Sequence, residues 1–260
     1  MLALQISASG MLAQERRTET VANNLANMNT TGFQRRRVEF NDLIYKNLRR
    51  PASASSAPSE ALPGGVYSGL GVKTGSIYRV SDQGFLKSTE NPLDLAIQGG
   101  GYFQIRLPNG DTGYTRAGTF QLSPEGSIVT HDGYPLQPDI AVPQNAQKIS
   151  INSSGSVLAT VPGQQVPANV GTIQLVLFPN EGGLKAVGNS LFVPTTNSGA
   201  PSVVVAGQGG GGTILQGFVE NSNVNPIEEI TNLIRAQRAY DMNSKVMKTA
   251  DQMMAPSTNR

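Results

Sequence analysis

The 260-residue sequence contains no cysteine. A disulfide scaffold, a thiolate zinc site and a cysteine nucleophile are therefore excluded. Charged residues are also scarce, at 15%, and the net charge is only +2. The basic residues are scattered apart from one run at 35–37, whereas a nucleic-acid-binding protein clusters them on one face. The composition thus argues against nucleic acid as a partner.

Long apolar runs are missing as well. No stretch approaches the roughly 18–20 apolar residues of a membrane-spanning helix, so we expect no membrane insertion. Residues 1–14 carry no charged side chain and are interrupted by Gln5, Ser7, Ser9 and Gly10. Because no positive segment precedes an apolar core, a cleaved secretory signal is not expected.

Recognisable catalytic patterns are absent too. His131 is the only histidine, and it precedes the turn formed by Asp132 and Gly133. The glycine run at 209–212 lacks the lysine of a phosphate-binding loop, and no Gly-x-Ser-x-Gly motif is present. Metal-ligand spacing is also absent. We therefore expect no enzymatic activity, no catalytic residue, no cofactor and no metal.

What is present begins with a helix-forming segment at 1–28. Apolar and small residues recur there at helical intervals. The stripe consists of Leu4, Ala8, Met11, Thr18, Ala22 and Leu25. Asparagines then weaken the helix, which is expected to stop between Asn27 and Thr31. Gly32 offers a left-handed residue to close it, and Phe33 could fold back on Met28.

A second helical segment, 226–254, lies near the other end. Asn225 can cap it, and Pro226 suits the first helical position. Its apolar positions alternate steps of three and four, which predicts a coiled-coil seam with one polar layer. The seam consists of Leu233, Ala236, Tyr240, Asn243, Met247, Ala250 and Met254. Alternatively, both helical segments simply cover the core of the same chain.

The middle of the chain is predicted to be rich in strands, because turn signals recur every 8–12 residues. The strand candidates are 72–80, 85–88, 93–98, 102–107, 119–122, 127–130, 149–151, 157–160, 172–178, 202–206 and 213–220. The predicted fold class is mixed and mainly β, with antiparallel β-domains in the middle and terminal α-helices forming a coiled-coil-like inner domain. Four regions are predicted. They are the N-terminal helix of the inner core domain at 1–30, an extended or β-hairpin connecting segment at 31–95 with a mobile loop at 51–65, a β-rich outer domain at 96–220, and the C-terminal helix of the inner core domain at 221–260.

Several motifs at both ends and in the middle of the chain resemble those of one protein family. Residues 22–33 read ANNLANMNTTGF, which is similar to the N-terminal signature of flagellar rod and hook axial proteins. The C-terminal stretches NSNVN at 221–225 and AQRAY at 236–240 resemble its other end, and GGGYFQ at 99–104 and YTRAGTF at 114–120 resemble its β-domain. Chain length, residues 67–79 and the tail sequence resemble the distal rod more than the longer hook, with the proximal rod as the nearest competitor.

The resemblance implies a structural subunit of the distal rod. Such subunits form a rigid helical tube that transmits torque from motor to hook across the periplasm. Implied partners are further copies of the chain, neighbouring rod and hook proteins, and the surrounding ring, or bushing, proteins. Export by the flagellar type III apparatus without signal cleavage is also implied. The alternative functions are a proximal rod or hook paralogue, or a secreted β-rich binding domain.

We predict that the terminal segments form the assembly interface, are largely disordered in the monomer and fold on assembly, because two helices alone bury too little apolar surface to offset their ordering. Asn23, Asn24, Asn27 and Asn29 are candidates for contacts that fix register between copies. Local capping of the helix end is an equally acceptable role for them. The predicted interface consists of Leu4, Ala8, Met11, Ala22, Asn23, Asn24, Leu25, Asn27, Asn29, Gly32, Phe33, Leu233, Ala236, Tyr240, Asn243, Met247, Ala250 and Met254.

Overall fold

A computed structural model describes residues 2–49, 66–163 and 166–254. The predicted mobile loop at 51–65 lies outside the described residues. The helices are α1 (Leu2–Ala26) and α2 (Pro226–Met254). The strands are β1 (Arg36–Asp42), β2 (Tyr45–Arg49), β3 (Val66–Gly69), β4 (Val72–Arg79), β5 (Leu86–Ser88), β6 (Leu95–Gln98), β7 (Tyr102–Arg106), β8 (Thr112–Thr115), β9 (Phe120–Leu122), β10 (Ile128–Thr130), β11 (Leu136–Gln137), β12 (Lys148–Ile151), β13 (Ser156–Thr160), β14 (Ala168–Thr172), β15 (Gln174–Leu177), β16 (Lys185–Gly188), β17 (Leu191–Val193), β18 (Ser202–Val205), β19 (Thr213–Gln216) and β20 (Phe218–Glu220).

The predicted fold class, mainly β with a helix near each end, is confirmed. Helix α2 begins at Pro226, as its capping signals predict. Helix α1 ends at Ala26 and is followed by a turn, one residue before the predicted range. Neither described helix contains an apolar stretch long enough to cross a lipid bilayer.

The chain divides into two units. The helical unit contains 1–25, 36–78 and 226–260, and the β unit contains 26–35 and 79–225. The β unit is built around a seven-stranded sheet in the order β16-β17-β8-β7-β15-β18, with β11 also paired to β7. Its registers are antiparallel throughout. The smaller pairings are β12-β13-β14, β9-β10, β6-β19 and β5-β20.

Strand β7 shows how the sheet buries both of its faces. Because successive side chains of a strand point to opposite faces, Phe103 and Tyr102 enter different clusters. Phe103 joins the main aliphatic core and packs edge-to-face against Phe120, with the two ring centroids 5.3 Å apart. Tyr102 joins an aromatic cluster with Tyr114, Val176, Phe178, Leu184 and Phe192. The sequence thus supplies the β unit with two cores.

The helical unit consists of α1, α2 and two-stranded ribbons formed by β1 with β4 and by β2 with β3. Side chains of α1 contact the ribbon formed by β1 and β4. The Asn24 amide group donates to the Arg36 carbonyl oxygen and accepts from the Arg36 backbone N–H, both at 2.8 Å. The Val72 N–H donates to Ser9 Oγ at 3.2 Å. An isolated two-stranded ribbon is marginally stable, so these contacts to α1 give it support.

Candidate assembly interface

The inward face of α2 follows the predicted seam over most of its length. Ala236 and Ala250 are buried, and Leu233, Asn243 and Met247 are half-buried. Tyr240 and Met254 are exposed instead, and the inward positions Glu229 and Ala239 were missed. The steps of three and four that predicted the seam run equally well through these two residues. Glu229 lies four residues before Leu233, where the predicted seam begins.

The inward face of α1 differs from the predicted stripe. Its buried residues are Ser7, Ala13, Thr20, Val21 and Asn24. None of them belongs to the predicted stripe. Only Asn24 was among the predicted interface residues, as a member of the asparagine cluster. Leu4, Met11 and Leu25 are half-buried, and Ala8 and Ala22 are exposed. Small and polar residues therefore occupy the buried face. Helical periodicity of small residues, rather than of large apolar ones, was the signal that could have found it.

Contacts between α1 and α2 show that the helices pack side by side and antiparallel. Gly10 lies against Asn243, since a Cβ atom added at Gly10 would stand 2.7 Å from Asn243 Nδ2. Farther along α1, the Arg17 guanidinium donates to Asn232 Oδ1 at 3.4 Å. Residues later in α1 thus contact residues earlier in α2, which is the pattern of an antiparallel pair. The predicted polar layer at Asn243 faces this contact, and supercoiling of the pair stays a prediction.

The asparagine cluster has local partners in the structure. Asn24 is buried and uses both ends of its amide on Arg36, as described above. The Thr30 hydroxyl donates to Asn27 Oδ1 at 3.2 Å. Asn23 and Asn29 are exposed. For Asn24 and Asn27 the geometry favours the local role over a register contact between copies.

Gly32 adopts the predicted left-handed conformation, with φ +66°. Its backbone N–H, however, donates to the Glu220 carbonyl oxygen at 2.8 Å rather than to a carbonyl of α1. The segment around it is thereby attached to β20, and both belong to the β unit. Phe33 beside it is half-buried. Gly32 therefore serves strand attachment and not helix closure.

A buried ion pair between Arg116 and Glu220 was not found from the sequence. Arg116 Nε donates to Glu220 Oε2 at 2.8 Å, and both side chains are almost fully buried. The other guanidinium nitrogens donate to the carbonyl oxygens of Gly99 and Gly101, and the Gly84 N–H donates to Glu220 Oε1. The pair thus connects the motif at 114–120 with the one at 99–104. A lone arginine within an otherwise uncharged strand motif was the available signal.

The aromatic cluster contains a second polar group. The Tyr102 hydroxyl donates to Glu181 Oε2 at 3.1 Å. Burial of the phenol raises the pKa of Tyr102 to about 12, and the neighbouring Glu181 carboxylate contributes to the rise. The Arg79 guanidinium carbon Cζ lies 4.2 Å from the centroid of the Phe192 ring. The same guanidinium donates to the carbonyl oxygens of Glu181 and Leu184. This network fixes the loop at 181–184 and has no feature of a catalytic site.

Large apolar side chains remain exposed on both helices. The fractional exposures are 78% for Ile227, 71% for Met253, 61% for Met242, 55% for Leu12 and 51% for Val246. Singly exposed apolar residues are ordinary, but a helix with many of them is typical of an interaction surface. Within the described part of the chain, no group of His, Asp and Glu residues is placed to hold a metal ion. The geometry thus offers surfaces for association.

Comparisons with known proteins agree across the chain. The family described as "Flagella basal body rod protein" matches residues 4–34. "Flagellar hook protein FlgE/F/G D1 domain" matches residues 96–159, and "Flagellar basal body rod FlgEFG protein C-terminal" matches residues 215–260. These matched regions contain the motifs on which the sequence resemblance rests.

Full-length relatives give the same result. "Flagellar basal-body rod protein FlgG" of Caulobacter vibrioides is 53% identical over 254 residues, which cover 98% of this chain and 97% of the relative. The FlgG protein of Agrobacterium fabrum is 45% identical, with 97% of both chains covered. "Flagellar basal-body rod protein FlgF" of Mesorhizobium japonicum is 33% identical over 94% of this chain and 91% of its own length. The chain therefore belongs to the FlgG family of flagellar basal-body rod proteins.

Proposed function

We propose that this chain polymerises through its terminal helices into the rigid tube of the flagellar distal rod, which passes torque from motor to hook. The chain is a structural component of the flagellar basal body, as its family membership establishes. The family is structural and not enzymatic. The polymer, its torque-bearing role and the contacts below are the proposal.

The observation that carries this proposal is the apolar surface left exposed on α1 and α2. Ile227, Met242, Val246 and Met253 of α2 are each more than half exposed, and so is Leu12 of α1. Full burial of such a side chain contributes about 1.5–3 kcal/mol. Covering several of them with a neighbouring copy would therefore stabilise an assembly by an amount comparable to the stability of a whole domain.

The predicted interface residues divide into two roles under this proposal. The buried members, such as Ala236, Ala250 and Asn24, complete the single copy by holding α1, α2 and the ribbon together. The exposed members would be covered by a second copy, and they are Ala8, Ala22, Asn23, Asn29, Tyr240 and Met254. Half-buried residues at the margin, such as Leu4 and Met247, would lose their remaining exposure on assembly.

Partners beyond the chain itself follow from membership of the rod family. We propose contacts with neighbouring rod and hook proteins at the two ends of the tube and with the ring proteins that surround it. We also propose export through the flagellar type III apparatus, without a cleaved signal, to a periplasmic location. The prediction that the terminal segments are largely disordered in the monomer and fold on assembly belongs to the same proposal.

Polymerisation of the full-length protein tests the proposal, with Val246→Asp as the critical variant. Val246 lies on α2 and is 51% exposed, and Val203 lies on β18 of the β unit and is 53% exposed. Wild type is expected to form straight tubes above a critical concentration, seen by sedimentation and electron microscopy. Val246→Asp should raise that concentration at least tenfold, because a carboxylate must be desolvated at the contact.

The matched control is Val203→Asp, which should change the critical concentration less than twofold. A wild-type chain that stays monomeric at millimolar concentration would contradict the proposal. Equal effects of the two aspartates would contradict the assignment of the interface to the helices.

A further inference from the structure

The antiparallel helix pair carries a groove on one side. Its volume is about 570 Å³, and both helices line it. Ala22 of α1 and Tyr240 of α2 supply apolar surface, and Glu15, Glu19 and Asp241 supply three carboxylates. All five residues are exposed. Glu19 pairs with Arg16 at 2.8 Å, but both side chains are half exposed, and such pairs are weak. The groove is therefore acidic and only partly apolar.

The opposite charge lies on the outer stripe of α2, which we define as Ile230, Ile234, Arg238 and Lys245. Steps of four, four and seven place these residues on one face of the helix. Counted at 100° per residue, that face is turned about 180° from the seam residues Ala236 and Asn243. Ile230 and Ile234 are each almost half exposed, and Arg238 and Lys245 are exposed. Asp241, which also lines the groove, lies on this face between Arg238 and Lys245. The stripe thus combines two isoleucines with two cations and borders the groove of its own copy.

We infer that the groove of one copy receives the outer stripe of α2 from a second copy. The groove offers the Glu15 and Glu19 carboxylates of α1 beside its apolar surface, and the stripe of α2 offers two isoleucines followed by two cations. Arrangement of opposite charges across a contact selects the partner and fixes its register. This inference rests on the proposed function, since it names one of the contacts through which the copies assemble.

The two surfaces differ, and this difference determines the kind of assembly. A two-fold dimer needs one patch that is complementary to itself. A groove that takes the stripe of a second copy leaves the stripe of the first copy and the groove of the second unfilled. Such a head-to-tail contact generates a ring or an open helical filament. The pairing is therefore compatible with unlimited growth.

Charge reversal in the full-length protein tests the pairing. Glu15→Lys with Glu19→Lys should raise the critical concentration for polymerisation at least tenfold, and Arg238→Glu with Lys245→Glu should do the same. All four substitutions together should restore it to within about threefold of wild type. Asp82→Lys with Asp111→Lys, on the β unit, gives the same change in net charge as the first pair and should change the critical concentration less than twofold.

Neutral substitutions keep the test valid if a reversed variant folds poorly, which circular dichroism would show. Raising NaCl from 50 to 500 mM should weaken wild-type polymerisation, because salt screens exposed charges. Glu15→Gln with Glu19→Gln should remove most of that salt dependence.

Each outcome is decisive. Restoration by the fourfold variant supports the pairing. Failure of that restoration, or equal effects of the groove and control reversals, overturns the inference while normal wild-type tubes keep the proposed function intact. A wild-type chain that forms no tubes overturns the proposed function, and the inference falls with it.

Discussion

The β unit and the helical unit bury very different side chains. The β unit encloses Phe103, Phe120, Leu95 and Ile105 among many large apolar residues. In the described part of the helical unit, the buried apolar residues are only Ala13, Val21, Ala236 and Ala250, and none exceeds valine in size. Polar residues such as Ser7 and Glu229 are buried beside them. The β unit buries many large apolar side chains within a single copy, whereas the helical unit leaves several of its own more than half exposed.

The difference teaches where stability and assembly reside. Large buried side chains supply most of the free energy of folding, so the β unit has its own source of stability. Among its described residues, the helical unit buries no large apolar side chain, and its exposed isoleucines, methionines and valine could be covered by neighbouring copies. We therefore expect substitutions in the β unit to act on unfolding and substitutions in the helical unit to act on association.

The largest effect is expected from Arg116→Met in the β unit. The substitution leaves the Glu220 carboxylate buried without its cation, which costs about 3–5 kcal/mol in a folded protein. Urea denaturation should measure this loss in the free energy of unfolding. The control is Arg106→Met, which removes an exposed ion pair with Asp139 and should cost less than about 1 kcal/mol. Similar losses for the two variants would show that the buried pair is not a special support of the β unit.

An intermediate effect is expected from alkaline pH through Tyr102. Its pKa is raised from 10.0 to about 12 in the folded chain, so the folded state keeps its proton where the unfolded state has lost it. The stabilisation is fully present below pH 10 and is lost as the pH rises from 10 to 12. By linkage the loss is roughly 2–3 kcal/mol.

Denaturation midpoints measured between pH 9 and pH 12 check this sign and window. In Tyr102→Phe the corresponding fall should be smaller, because the phenol that titrates is absent. An unchanged profile in the phenylalanine variant would assign the alkaline instability to other groups.

The smallest effect is expected in the helical unit at Gly10. Alanine is favoured over glycine in a helix by about 1 kcal/mol, but its Cβ atom would stand 2.7 Å from Asn243 Nδ2. Gly10→Ala should therefore give no net stabilisation of α1 in wild type and about 1 kcal/mol in an Asn243→Ala background. Hydrogen exchange of α1 amides measures both. Equal stabilisation in the two backgrounds would exclude close packing of the helices at this point.

Local signals predicted much of this fold from the sequence. The cap at Asn225 and the proline at the first helical position predicted where α2 begins. Its apolar spacing of three and four residues predicted most of the inward face of the helix. Turn residues gave most strand positions, but the candidate at 213–220 is two strands, β19 and β20, because Gly217 between them has φ +77°. Strands β1 and β2 lie in the predicted connecting segment and were not among the strand candidates, since their partners β4 and β3 are distant in the sequence.

The sequence was a poorer guide to the buried face of α1. Apolar periodicity selected Leu4, Met11 and Leu25, but the buried positions include Ser7, Thr20 and Asn24. A polar side chain becomes a buried one only when a specific partner is near, as the Arg36 backbone is for Asn24. The same holds for Arg116, whose partner Glu220 lies 104 residues away. Such long-range pairs leave no periodic trace.

The helix pair brings together residues that are far apart in the chain, with Arg17 and Asn232 separated by 215 positions. A polypeptide cut short before α2 would therefore carry α1 without the surface it packs on. A copy without α2 therefore has no groove of the kind described above, because residues of both helices line it. In the proposed assembly such a copy would lack the surface that receives a second copy.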